Sequence, residues 1–228
     1  MQLCPSLMCI DYRNLAREIE DLDEAGADAF HCDVMDGSFV PNFAMGLGDL
    51  KAVRASTDKP VEVHLMIENP LDKLQLFINA GANVIYIHPE SERCTAKALE
   101  AVRAAGCKAG LAISPDTSIA TVEEMLNLAD VVMVMTVYPG FAGQPFVEYT
   151  VDKIRRLAAL KDRYDFTLAI DGACSPERIR QLLPLGADAF VLGSSALFGK
   201  GGYRAVFEEL RALSHLAAEG ADEEKRQA

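Results

Sequence analysis

His31-Cys32-Asp33-Val34-Met35-Asp36-Gly37-Ser38-Phe39-Val40-Pro41-Asn42 begins as a strand and ends as a loop. Residues Ala29 to Val34 form a short, largely apolar run behind Gly26-Ala27-Asp28, a triplet that ends a helix and makes a turn. Side chains alternate along a strand, so His31 and Asp33 share one face while Cys32 and Val34 take the other. An imidazole and a carboxylate together at a strand's C-terminal end are costly to bury unless something uses them. A metal ion or a proton transfer would use them, and a satisfied structural His–Asp pair is the plainer reading.

The triplet before this strand recurs. Ala80-Gly81-Ala82-Asn83 and Leu185-Gly186-Ala187-Asp188 precede two further apolar runs, and Ala105-Gly106-Cys107-Lys108 reads as a looser fourth copy. Each follows an amphipathic stretch, and Gly suits the left-handed position just past a helix end. Repeated helix–Gly–strand units predict alternating α and β elements and a parallel sheet.

Eight strands are expected near residues 3–7, 29–34, 61–66, 84–88, 108–113, 131–136, 167–170 and 189–192. Helices are expected at 14–24, 48–55, 71–79, 95–104, 119–128, 147–163, 176–183 and 202–218. Eight such units predict an α/β single-domain (β/α)8 TIM barrel over residues 1–218, with an acidic, frayed tail at 219–228. A doubly wound open sheet is the structural alternative.

The chain has 228 residues, enough for one such domain, and half are hydrophobic. Its formal net charge of −12 argues against nucleic acid and against an anionic membrane as partners. No apolar run is long enough to span a bilayer, and the N-terminus lacks a secretion-signal pattern. Six cysteines without a C-x-x-C pair point to free thiols in a reducing cytoplasm. Cys9 and Cys174 fall near the strand ends, where the reading for each is a small buried hydrophobe.

A barrel carries its chemistry at the C-terminal ends of its strands. Polar groups collect there: Ser6, His31 and Asp33, His64, His88 and Glu90, Thr136, Asp171, then Ser194 and Ser195. His31, Asp33, His64 and Asp171 would face one pocket. Two imidazoles and two carboxylates suit one divalent ion, Zn, Mn, Co or Fe(II), with Mg preferring more oxygen ligands. A hydrogen-bonded polar cluster is the other reading. Glycine-bearing turns after the last three strands suit a phosphate, held by backbone N–H groups, although ordinary βα turns also carry glycine. Met35, Met66 and Met135 fall at strand ends, as core packing or as a water-excluding wall. Metal, two carboxylates and a phosphate anchor together suggest C–H deprotonation beside a ketone, with Asp33 and Asp171 on opposite sides of a sugar phosphate.

These segments, with Val63-His64-Leu65-Met66, Met135-Thr136-Val137-Tyr138-Pro139-Gly140-Phe141-Ala142-Gly143-Gln144 and Asp171-Gly172, resemble the ribulose-phosphate 3-epimerase family across nearly the whole chain. The resemblance implies a cytoplasmic, homo-oligomeric isomerase that inverts C3 of a ketose phosphate with one divalent metal. It implies His31, Asp33, His64 and Asp171 as metal ligands and Asp33 and Asp171 as the acid/base pair. It further implies substrate contacts from Ser6, His64, Gly140, Phe141, Ala142, Gly143, Gly172, Ala173, Gly193 and Ser194, and a methionine wall of Met35, Met66 and Met135. Ala142 and Ala173 stand where the pentulose enzymes usually carry glycine. Pro5-Ser6-Leu7-Met8-Cys9, His88-Pro89-Glu90, Pro139-Gly140-Phe141-Ala142-Gly143-Gln144-Pro145-Phe146 and Asp171-Gly172-Ala173-Cys174 look closer to the hexulose-phosphate branch, so D-allulose 6-phosphate is the expected substrate and D-ribulose 5-phosphate the alternative. Alanine keeps its N–H, so phosphate binding survives if the backbone there avoids positive φ. A related decarboxylase would need a Lys that these strand ends lack, and a non-catalytic binder would be expected to have lost one of the four ligand residues.

Overall fold

A computed structural model describes residues 1–214. The strands are β1 (Gln2–Pro5), β2 (Phe30–Asp36), β3 (Phe43–Ala44), β4 (Val61–Met66), β5 (Val84–Ile87), β6 (Lys108–Ile113), β7 (Val131–Met135), β8 (Thr167–Asp171) and β9 (Ala189–Leu192). They form one sheet in the order β1-β9-β8-β7-β6-β5-β4-β2-β3. All pairs are parallel except β3, which folds back antiparallel on the end of β2. A parallel bridge between Ser6 and His31 joins β1 to β2, so the eight main strands close into a single-domain (β/α)8 barrel.

Helices α1 (Leu15–Ala25), α2 (Leu47–Ser56), α3 (Leu74–Asn79), α4 (Thr95–Ala104), α5 (Thr150–Ala158), α6 (Lys161–Tyr164) and α7 (Pro176–Leu182) lie between strands, and residues 203–214 form a last helix. The expected helix over 119–128 is instead two 3-10 segments, Ile119–Thr121 and Glu123–Leu128. The 147–163 stretch divides into α5 and α6, and the expected tail at 219–228 lies outside the described residues.

Alternation on the strands builds two apolar layers. Phe30, Cys32 and Val34 of β2 and Val61, Val63 and Leu65 of β4 pack outward under the helices. Val84, Tyr86, Ala112, Met133, Ala169 and Val191 fill the barrel interior. Gly110 is required there, because a Cβ would lie 2.3 Å from the Tyr86 ring.

The recurring Asp or Asn at the strand starts is a structural clamp. Leu3 N–H donates to Asp28 Oδ2 (2.7 Å), Val61 N–H to Asn83 Oδ1 (2.8 Å), Ala109 N–H to Asp130 Oδ2 (2.8 Å) and Leu168 N–H to Asp188 Oδ2 (2.8 Å). In return the N–H of each clamp residue donates to the carbonyl of the same partner, at 2.8–3.0 Å. The helix-ending turn recurs as expected in all four copies, with Gly26, Gly81, Gly106 and Gly186 at positive φ, whereas the fourth clamp side chain comes from Asp130, outside the repeat, because Lys108 opens β6 in the looser copy. Arg211, Arg54, Arg103 and Lys161 each place a cation beside one clamp side chain. The clamps tie β1 to β2, β4 to β5, β6 to β7 and β8 to β9, all at the N-terminal mouth, opposite the polar strand ends.

Candidate active site

Strand register assembles the site. Parallel pairing sets Asp33 of β2 beside His64 of β4, and Met35 beside Met66. Pairing of β7 with β8 sets Met135 beside Asp171. Alternation turns His31, Asp33, Met35, Glu62, His64 and Met66 inward, because their neighbours occupy the outer core.

One ligand atom from each of His31, Asp33, His64 and Asp171 lies within 4.8 Å of the other three. Asp33 Oδ1 is 3.1 Å from His64 Nδ1 and 3.5 Å from His31 Nε2. Asp171 Oδ2 is 3.5 Å from His64 Nδ1 and 3.9 Å from His31 Nε2. Ser6 Oγ donates to Asp33 Oδ2 at 2.6 Å, which fixes that carboxylate. His31 Nδ1 faces Glu62 Oε2 at 3.2 Å, whereas its Nε2 is buried with no hydrogen-bond partner among the described residues. A buried ring nitrogen without a partner is expensive, and here it aims at two carboxylates. The donor set, with spacings near the roughly 3.4 Å between ligands on a tetrahedral ion, fits one divalent cation.

The two carboxyls differ in acid strength. Burial raises Asp33, but the His31 and His64 rings outweigh it and hold the group well below the usual carboxylate range. Burial and then the Asp33 charge push Asp171 up to about 7. His31 is raised despite its burial, through Asp33, Glu62 and Asp171. His64 is lowered to about 4, by burial and by neighbouring His88, against the pull of Asp33. One carboxyl set low and the other near neutrality is the arrangement a base and an acid require.

Above this cluster opens a pocket lined by Ser6, Asp33, Asp171 and all three methionines, together with Gly140, Phe141, Ala142, Gly143, Gly172, Ala173, Gly193 and Ser194. His31 and His64 have no exposed surface and do not line this pocket. Met35 and Met66 pack with Val40, Phe39 and Met8, while Met135 belongs to the barrel interior. The sequence reading missed Met8 and Tyr138 as lining residues and took Cys9 for core, although it is half-buried on the pocket wall, where Ser195 of the expected polar face also stands. Cys174 is buried in the outer core, as expected.

The glycine turns are constrained. Gly172 has φ +111°, and a Cβ there would lie 2.7 Å from Val137 Cγ2 and 2.9 Å from its backbone nitrogen. Asn42 Nδ2 donates to Gly140 O at 2.7 Å, and Gln144 Nε2 donates to Tyr138 O and Phe141 O at 2.6 and 2.9 Å. These bonds pin the 139–144 loop over the pocket. Ala173 has φ +48°, so the condition placed on the alanine turns, a backbone that avoids positive φ, is not met at this residue. The residue keeps its N–H and holds a left-handed conformation that costs alanine about 1–2 kcal/mol.

A buried His/Asp cluster under an open pocket lies at the C-terminal mouth of a (β/α)8 barrel, the face on which barrel enzymes carry their chemistry. The sequence model of the Ribulose-phosphate 3 epimerase family matches residues 2–198. The chain is 37% identical over 213 residues to "Ribulose-phosphate 3-epimerase" of Aquifex aeolicus, covering 92% of this chain and 96% of that protein. It is 36% identical over 214 residues to the protein of that name from Bacillus subtilis, covering 92% and 98%. Among solved structures, 3-hexulose-6-phosphate synthase from Salmonella typhimurium superimposes with a TM-score of 0.73 at 18% identity, over 95% of this chain and 100% of that one, a likeness of fold. The chain belongs to the ribulose-phosphate 3-epimerase family, whose members are carbohydrate epimerases, a class of isomerase.

Proposed function

We propose that this chain is a divalent-metal-dependent ketose-phosphate 3-epimerase and that its substrate is D-ribulose 5-phosphate. The observation that carries the chemistry is the pair Asp33 and Asp171, brought to one cluster from separate strands and set at opposite ends of the carboxylate range. The choice of the five-carbon sugar rests on the relatives, which carry the name ribulose-phosphate 3-epimerase.

In this reading the turns at Gly140–Gly143, Gly172–Ala173 and Gly193–Ser194 hold the phosphate through backbone N–H groups. Ser6 fixes Asp33, which takes the proton from C3. The electron pair left behind is delocalised toward the neighbouring carbonyl. Asp171 returns a proton to C3 from the opposite face, so the carbon inverts and the two carboxyls exchange protonation states. Met8, Met35, Met66 and Met135 keep water from the deprotonated carbon. His31, Asp33, His64 and Asp171 would hold a Zn, Mn, Co or Fe(II) ion, which when bound supplies Lewis-acid stabilisation of negative charge on the sugar's carbonyl oxygen. A cytoplasmic setting fits the six unpaired cysteines.

A second reading, D-allulose 6-phosphate, is favoured by one observation. Ala142 and Ala173 line the pocket, and Ala173 keeps its methyl group at a left-handed φ that glycine would adopt without strain. Side-by-side kcat/KM values for the two sugars with metal-loaded protein decide between them. At least a tenfold preference for D-ribulose 5-phosphate is expected. A preference for D-allulose 6-phosphate makes the second reading the right one, and inactivity on both rejects the epimerase assignment.

A further inference from the structure

His64 also contacts a titratable pair outside the four-residue cluster, His88 and Glu90. His64 Nε2 is 2.8 Å from His88 Nε2, just past the end of β5, and His88 Nδ1 is 3.2 Å from Glu90 Oε2. The rings of His64 and His88 have centroids 5.0 Å apart and planes 28° apart, so they meet edge to edge through these nitrogens. His88 is fully buried, and Phe39 packs on it at 5.2 Å. Glu90 is fixed in turn, because its Oε1 accepts from Ser114 N–H at 3.1 Å and from the Thr117 hydroxyl. Ser114 Oγ, 3.5 Å from His88 Nδ1, is a more distant neighbour.

We propose that His88 and Glu90 are positioning residues: the chain Glu90–His88–His64 places the His64 proton on Nε2 and thereby frees Nδ1, the nitrogen that faces Asp33 and Asp171, to bind a divalent cation. The proposal rests on the metal reading given above and extends it to two residues outside the donor set.

The argument is one of donors and acceptors. A carboxylate only accepts, so Glu90 demands N–H at His88 Nδ1. Neutral His88 then has a lone pair at Nε2, which demands N–H at His64 Nε2. Neutral His64 is left with its lone pair on Nδ1. The reverse order would set a ring lone pair against the Glu90 carboxylate and put N–H, not a lone pair, toward the cluster. Doubly protonated His88 would force the same wrong His64 tautomer. Glu90 is held at about 2, since the His88 and Thr117 hydrogen bonds outweigh the opposing effect of its burial, so it is ionised across the neutral range. Glu62 performs the matching task directly on His31, by engaging Nδ1 and leaving Nε2 toward the cluster. The two histidines therefore offer opposite ring nitrogens, one backed by a glutamate and the other by a histidine–glutamate pair. Such outer partners raise ligand basicity and fix ring orientation.

Two measurements test this. In ¹⁵N NMR spectra of the zinc-loaded wild-type protein, His64 is expected to carry its proton on Nε2 and bind zinc through Nδ1, with His31 the reverse. In cobalt(II) titrations with chelator competition, followed by visible absorption, Glu90→Ala is expected to weaken binding by about 10- to 100-fold. Glu90→Gln, which keeps a neutral acceptor, is expected to lose less. His64 protonated on Nδ1 in the loaded protein, or wild-type cobalt affinity and spectrum in both Glu90 variants, overturns the relay while leaving the metal reading intact. Failure of the wild type to bind either ion overturns both.

Discussion

At the scale of single residues, Asp33 and Asp171 are chemically identical and differ only in neighbours. Asp33 receives Ser6 Oγ and two imidazoles, whereas Asp171 stands closer to the open pocket and beside a charge of its own sign. Asp171→Asn is expected to lower turnover by about 10²- to 10⁴-fold while Asp33 still exchanges the C3 proton of D-ribulose 5-phosphate with solvent deuterium, with the circular dichroism spectrum unchanged. The same variant has a second, separable signature in chelator-treated protein. Asp171 moves from an ordinary 3.8 to about 7 on folding, so the stability it contributes is full below about 3.8 and is lost as pH rises to about 7. His64 moves the other way, from 6.5 to about 4, so its contribution grows as pH rises between those values. In the metal-free wild type the two slopes oppose each other over about pH 4–6.5. Asp171→Asn keeps only the rising one. Urea unfolding at pH 5 and pH 6.5 is expected to show the variant gaining on the wild type at the higher pH, and a parallel pair of profiles contradicts the assignment.

At the scale of elements, the turn after β8 joins two residues with opposite tolerances. Gly172→Ala would drive a methyl group into Val137, including its backbone nitrogen, at a left-handed φ. A loss of about 2–4 kcal/mol is expected from strain and overpacking together. Ala173→Gly removes a strained alanine, so a stability between unchanged and about 1 kcal/mol higher is expected, after glycine's greater entropy cost is set against the relief. Denaturant midpoints check both. This turn also marks what a sequence conveys. The residue types of the turn were readable, and so was their place at a strand end, because alternation fixes which side chains face inward. The φ of Ala173 was not, since alanine rarely adopts a left-handed conformation and carries no local signal for one. The 119–128 stretch has helical spacing, with Ile119, Val122 and Leu126 all buried, yet the residues form 3-10 turns. Tertiary contact decides hydrogen-bond pattern over so short a span. The four candidate ligand residues were legible because they cluster at strand ends. Met8 and Tyr138 were not singled out, because a lone Met or Tyr beside a motif has no pattern that separates lining from packing.

At the scale of the whole molecule, the Gly-Ala-Asp repeat made the alternating architecture visible, while its physical purpose depended on pairs about 20–25 residues apart that only the folded chain brings together. Each Asp or Asn closes a two-bond ring with the preceding barrel strand, and no such ring spans β2 to β4, β5 to β6, β7 to β8 or β9 to β1. The barrel is therefore four stapled pairs, which gives the polypeptide preferred places to be severed. Opening it at the exposed turn between Gly106 and Cys107 leaves every staple whole, two on each fragment. Opening it between Thr117 and Ser118 separates Ala109 from Asp130 and leaves one staple to form between fragments. Fragments 1–106 and 107–228, produced together, are expected to reassemble into an active barrel that resists urea better than the pair 1–117 and 118–228. Equal recovery from both cuts would mean the staples are incidental. If the difference holds, quarter-barrels are units that can be exchanged, duplicated or permuted at the N-terminal mouth while the chemistry at the far end stays undisturbed.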